Sequence, residues 1–140
     1  MAAPSPTGLV EKYVKYKEVS TRLMRPSQPE IDVALLIKYV SSWQTSYEMG
    51  DVVVYDEGLA QYLLCDRDSH HKFYAALVLN KPSLRCRVKS SDEEPPVDEL
   101  EEGFGNRLKL VGGTGKPEEE DAIKKLTEKL SKKNYKFIAP

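Results

Sequence analysis

The chain has 140 residues, 40% of them hydrophobic and 31% charged, which suits a globular domain able to bury roughly two-thirds of its unfolded surface. A net charge of −1 gives the whole molecule no long-range pull toward nucleic acid or a membrane. No apolar run approaches the ~20 residues of a bilayer-crossing helix, and the opening MAAPSPTGLVEKY lacks the basic and apolar regions of a secretory signal.

Residues 1–6, with Pro4 and Pro6 among small side chains, read as a flexible tail. From Thr7 onward Leu9, Tyr13, Tyr16 and Leu23 recur at helical spacing, which predicts a first helix ended by Arg25-Pro26. Ser27-Gln28-Pro29-Glu30 has the pattern of a capping box. It introduces a second helix over residues 31–43, apolar on most sides and therefore expected to be buried on more than one face. The short Pro-containing connection makes the two an antiparallel helical hairpin.

Gly50 opens a β-rich part. Val52-Val53-Val54 suits a buried strand, and Asp56-Glu57-Gly58 reads as a turn with a positive φ at the glycine. Residues 59–65 and 71–79 are two further strand candidates, with Asn80-Lys81-Pro82-Ser83 as the next turn. The segment 84–89 alternates strictly, placing Leu84, Cys86 and Val88 on one face and Arg85, Arg87 and Lys89 on the other.

Residues 90–106 combine Pro95-Pro96, two glycines and seven acidic side chains, with no basic one after Lys89, and read as a flexible acidic loop. A returning strand is expected over residues 107–111. A helix over 117–133 follows, with Ala122, Ile123, Leu126 and Leu130 as its buried stripe, Asn134 as its C-terminal cap and a last edge strand over 135–138. The expected architecture is α+β in one domain: the helical hairpin and C-terminal helix packed on an antiparallel sheet of four to five strands.

Four features are candidates for chemistry. The stretch CDRDSHH at residues 65–71 gathers a thiol, two carboxylates and both histidines. On a hairpin, Cys65 and His71 become cross-strand neighbours, the elementary unit of a cysteine nucleophile; with His70 they are also weak zinc ligand candidates. Neither the paired ligand spacing of a structural metal site nor an oxyanion hole is recognisable, so a solvated turn is the favoured reading. GGTGKP at 112–117 lies between strand and helix as a phosphate loop does, but Leu110 and Pro117 depart from the nucleotide-binding pattern. Glu118, Glu119, Glu120 and Asp121 would also repel a phosphate. No cofactor is therefore expected.

From the last helix onward Lys125, Lys129, Lys132 and Lys136 recur at helical spacing, with Lys124 and Lys133 on the shoulders. With Arg85 and Arg87 they suit an acidic partner or nucleic acid. Val97, Leu100 and Phe104 are apolar anchors in the acidic tract, as a docking peptide requires. Eight tyrosines against three phenylalanines also favour surfaces half buried in a partner.

The leading expectation is a non-enzymatic protein-interaction module, an adaptor or structural subunit that binds another protein or itself. Nucleic-acid association through strand 84–89 and the lysine stripe comes second, and a small metal-dependent or cysteine hydrolase around Cys65 and His71 third. Two cysteines in a chain long enough to form a core suggest reduced thiols and a cytoplasmic or nuclear setting, without membrane association.

Overall fold

Three helices and two sheets account for residues 15–43, 52–89 and 107–137, the part of the chain described by the computed structural model. In chain order, β1 (Lys15–Ser20) runs through a 3-10 turn (Thr21–Leu23) into β2 (Met24–Arg25), then β3 (Glu30–Asp32) and α1 (Val33–Ser42). The hairpin of β4 (Val52–Gly58) and β5 (Gln61–Leu64) leads to α2 (Arg67–Val78) and β6 (Ser83–Lys89). The chain closes with β7 (Arg107–Val111), α3 (Pro117–Ser131) and β8 (Lys136–Phe137).

The larger sheet has the order β1-β6-β4-β5-β2. It is mixed: β1/β6 and β4/β5 are antiparallel, whereas β4/β6 and β2/β5 are parallel. The smaller sheet, β3-β7-β8, is parallel throughout. One buried cluster joins both sheets and the helices, from Val19 and Ile31 through Phe73 and Tyr74 to Leu126 and Leu130. The α+β class is as expected; the wholly antiparallel sheet is not.

The N-terminal helical hairpin is also overturned. Residues 15–20 form β1, paired with β6 from Lys15↔Val88 to Ser20↔Ser83, and residues 7–14 lie outside the described residues. The apolar spacing there is compatible with a helix, but β6 offers a full row of backbone partners, and pairing across the sheet overrides a weak local preference. Glu18 stands opposite Arg85, so the register also sets opposite charges side by side.

Ser27 does not cap a helix. Its hydroxyl donates to the Leu64 carbonyl (2.7 Å), and α1 begins later, capped by Asp32, whose Oδ1 accepts from the Ala34 and Leu35 amides. Only Val33 and Leu36 of α1 are fully buried. The helix enclosed on nearly every side is α2, where every residue from Ser69 to Val78 except Lys72 is buried. A helix without a wet face has no polar stripe to reveal its 3.6-residue period, so Phe73-Tyr74 and the apolar residues after them read as a strand. Asp66 is the signal that a helix begins: its Oδ1 accepts from the Ser69 amide at 2.7 Å.

Other expectations hold, one of them in part. Leu84, Cys86 and Val88 are buried while their neighbours in β6 are half exposed; β7 has the expected limits; and α3, which ends at Ser131, buries Ala122, Leu126 and Leu130 but leaves Ile123 half-buried. Gly58 has the expected positive φ (83°), but the β4–β5 turn falls just beyond it, at Leu59-Ala60. Both residues hold left-handed backbone (φ 56° and 57°), which a two-residue hairpin turn demands and Asn-Gly normally supplies. For residues with a Cβ this conformation costs about 1–2 kcal/mol each. Leu59 is 98% exposed and recovers none of that by burial.

Candidate anion-binding site

The stretch CDRDSHH is neither a hairpin tip nor an open reactive site. Asp66 caps α2 and the two histidines occupy its first turns. His70 Nδ1 lies 2.6 Å from the Asp66 carbonyl and must donate, while its Nε2 accepts from the Ser27 and Gln28 amides at 2.8 and 3.1 Å. His71 repeats the arrangement one residue on, with Nδ1 on the Arg67 carbonyl (2.7 Å) and Nε2 taking the Asp32 amide (2.8 Å). A carbonyl on one nitrogen and amides on the other define the neutral Nδ1–H tautomer.

Burial pushes His70 down to about 4, against the smaller upward pull of its bond to Asp66. Burial likewise lowers His71. The pair thus pins the segment before α1 onto α2. Ser69 adds a tie to β4 by accepting the Val53 amide at 2.7 Å.

This geometry removes the basis for a Cys65–His71 dyad. Cys65 lies just before the helix cap, not on a strand facing His71, and neither nitrogen of His71 is left to act on a thiol. Nor can either Nε2 ligate a metal without releasing the amides it holds. Among the described residues, no three His, Cys, Asp or Glu side chains converge as a metal site needs.

The GGTGKP loop does cradle an anion, but an internal one. Glu119 folds back so that Oε1 accepts from the Thr114 and Gly115 amides (2.8 and 3.0 Å) and Oε2 from the Thr114 hydroxyl (2.6 Å). The Thr114 hydroxyl and then its amide hold this carboxyl below its usual range. Gly112, at φ +70°, leaves room for Asp32, whose Oδ1 lies 2.9 Å from where a Cβ would stand. These three donors of the loop are therefore taken by the protein's own carboxylate.

A cavity of about 540 Å³ is the feature whose chemistry the fold leaves unused. Five cations line it: Arg22 from the 3-10 turn, Lys81 beyond α2, and Lys129, Lys132 and Lys133 at the end of α3. Among the described residues, none that lines it is acidic and none is aromatic.

Three chain reversals meet there. α2 and α3 are each followed by an asparagine in left-handed conformation, Asn80 (φ 59°) and Asn134 (φ 68°). In each, the next amide returns five residues, Lys81 to Ala76 and Tyr135 to Leu130. The Thr21 amide and hydroxyl both donate to the Pro82 carbonyl, at 2.9 and 3.2 Å, which ties the 3-10 turn to the end of α2.

The helix ends help five cations to share this space. Each contributes about −0.5 charge, which offsets only a small part of five unit charges. Lys133 shows what remains: its Nζ donates to the Thr21 carbonyl (3.0 Å), yet its pKa is lowered, first by partial burial and then by the nearby Arg22. An anion in the cavity would relieve that repulsion.

Of the expected binding residues, Lys129 and Lys132 line the cavity, whereas Lys125 pairs with Asp121 at 3.1 Å. Arg85 and Arg87 project from β6 and do not line it; the Arg85 guanidinium lies 4.7 Å from the Tyr16 ring centre. Leu100 and Phe104 lie outside the described residues. Arg22 and Lys81 are additions that sequence reasoning misses. The helical spacing around Arg22 hides it inside a supposed helix, and Lys81 reads only as part of a turn. The available signal is Asn80-Lys81-Pro82, a basic residue at a tight reversal.

Comparison with known proteins gives no matching family model, no matching curated protein and no matching solved structure. No helix among the described residues is long and apolar enough to cross a membrane.

Proposed function

We propose that this chain is a non-enzymatic interaction module that binds an anionic segment of another protein in the basic cavity. The observation that carries this reading is the convergence of Arg22, Lys81, Lys129, Lys132 and Lys133 on one concavity, with no carboxylate lining it among the described residues, in a chain whose net charge is only −1. A concave cluster of long cations suits a carboxylate- or phosphate-bearing segment. Among the described residues no aromatic lines the cavity to stack on a nucleobase.

The test is fluorescence anisotropy with a labelled hexaglutamate peptide at low salt, using the intact protein and the double variant K129E/K132E. The expected result is binding that falls at least tenfold in the variant, with Tm unchanged within about 2 °C because Lys132 is exposed and Lys129 half-exposed. No binding to the intact protein, or equal binding to the variant, overturns the reading.

A second reading, association with single-stranded nucleic acid, is favoured by the β6 face. Tyr16 is 49% exposed and stands opposite Arg87 in the register, with Arg85 over its ring. Aromatic and cationic side chains combined on a sheet can track such a strand. It predicts that a short oligothymidylate binds more tightly than hexaglutamate and that R85E/R87E, not K129E/K132E, abolishes its binding.

A further inference from the structure

From the strained hairpin tip and the cavity beside it we infer that Leu59 is a docking residue, and that the partner segment carries an apolar side chain next to its anionic group. This rests on the reading of the basic cavity as a binding site and specifies what that site selects.

Leu59 is a large apolar side chain standing almost fully in water, on a turn whose left-handed backbone suits asparagine and glycine better. Both costs fall at one position, and neither yields a contact within the fold. Backbone strain concentrated at an exposed apolar side chain points to a contact made outside the molecule.

Its position gives that contact a place. Leu59 and Ala60 form one wall of a second cavity, about 250 Å³, with Leu23 and Gln61. Arg22 lines this cavity and the basic one alike, so the two meet at that residue. Arg25, also on the smaller cavity, is engaged by Glu57 through two bonds of 2.7 and 2.6 Å, so the charge offered at the junction is that of Arg22.

The surface therefore reads as bipartite. Cations meet the anionic group, and Leu59 with Leu23 meets the neighbouring apolar side chain. Leucine in place of an aromatic ring fits a peptide side chain better than a nucleobase.

The turn supplies a variant that separates binding from folding. L59N/A60G restores the residues this backbone favours and removes the apolar side chain, so it should raise Tm. Its affinity is read against two labelled peptides, one of six glutamates followed by two leucines and one with two serines in place of the leucines. The intact protein is expected to bind the leucine peptide at least fivefold more tightly. L59N/A60G should bind the two equally, at the level the intact protein shows for the serine peptide.

Equal binding of both peptides by the intact protein, lost in K129E/K132E, overturns the role of Leu59 and leaves the basic cavity standing. Absence of binding to either peptide by the intact protein removes both. Tighter capture by phosphatidylserine vesicles than by the leucine peptide, abolished in L59N/A60G, overturns the peptide assignment in favour of a lipid surface.

Discussion

Acid should begin to destabilise this protein through the histidines before its carboxylates titrate. His70 Nε2 can accept the Ser27 and Gln28 amides only while the ring is neutral, and burial has lowered its pKa from 6.5 to about 4. Above pH 6.5 the ring is neutral in both the folded and unfolded chain and titration contributes nothing. Below 6.5 the unfolded histidine takes up a proton and the folded one does not, so stability falls with pH.

The loss is complete once the folded pKa is passed near 4. At 1.36 kcal/mol per unit, the interval amounts to roughly 3 kcal/mol, a large part of a typical 5–15 kcal/mol total. His71 is shifted in the same direction and adds to the slope. The groups around the pair act both ways: the Asp66 and Arg67 carbonyls and the Asp66, Asp32 and Asp68 carboxylates favour the charged rings, whereas the Arg67 charge opposes that of His71 and the His71 ring opposes that of His70.

The assay is urea unfolding followed by circular dichroism between pH 7.5 and 5, a window above most carboxylate titration. His70→Gln is the decisive variant, because its amide oxygen can still accept from Ser27 and Gln28 but takes up no proton. It should lose about 1–2 kcal/mol at pH 7.5 through poorer fit. Its slope should be shallower than that of the intact protein by up to ~1.4 kcal/mol per pH unit. Equal slopes in the two proteins would refute a neutral, buried His70 as the cause.

Two further predictions concern the same region. The Tyr74 hydroxyl is buried with no hydrogen-bond partner among the described residues. Tyr74→Phe should therefore leave stability unchanged or raise it by about 1 kcal/mol; a clear loss in urea titration would show that the hydroxyl has a partner. Asp32 caps α1 and also pairs with Arg67. Arg67 is mostly exposed, so the cap should dominate. Asp32→Ala should then cost about 1–2 kcal/mol and Asp32→Asn far less, whereas equal losses would assign the effect to the ion pair.

Features that depend on one short window are legible in the amino-acid sequence alone. The alternation in β6, the limits of β7 and most of the buried stripe of α3 follow from side-chain period, whereas the helix ends at its Lys132 cap, two residues before the expected Asn134. Where two periods fit the same residues, tertiary contacts choose. The stretch 15–20 is a strand because β6, far along the chain, lies open to it, as in Tyr16↔Arg87. The stretch 67–78 is a helix whose period is hidden by burial on nearly all sides.

The candidate site is less legible still. Lys129 and Lys132 announce themselves by helical spacing, but their partner Arg22 comes from the other end of the chain. The bond from Lys133 to the Thr21 carbonyl spans 112 residues. CDRDSHH looks reactive because composition names the groups present and not the partners they find. Only folding brings the Ser27, Gln28 and Asp32 amides onto those rings, and a histidine whose two nitrogens both hold backbone is a fastening. Local chemistry is written in neighbouring residues, whereas the use made of a polar side chain depends on what the rest of the chain presents to it.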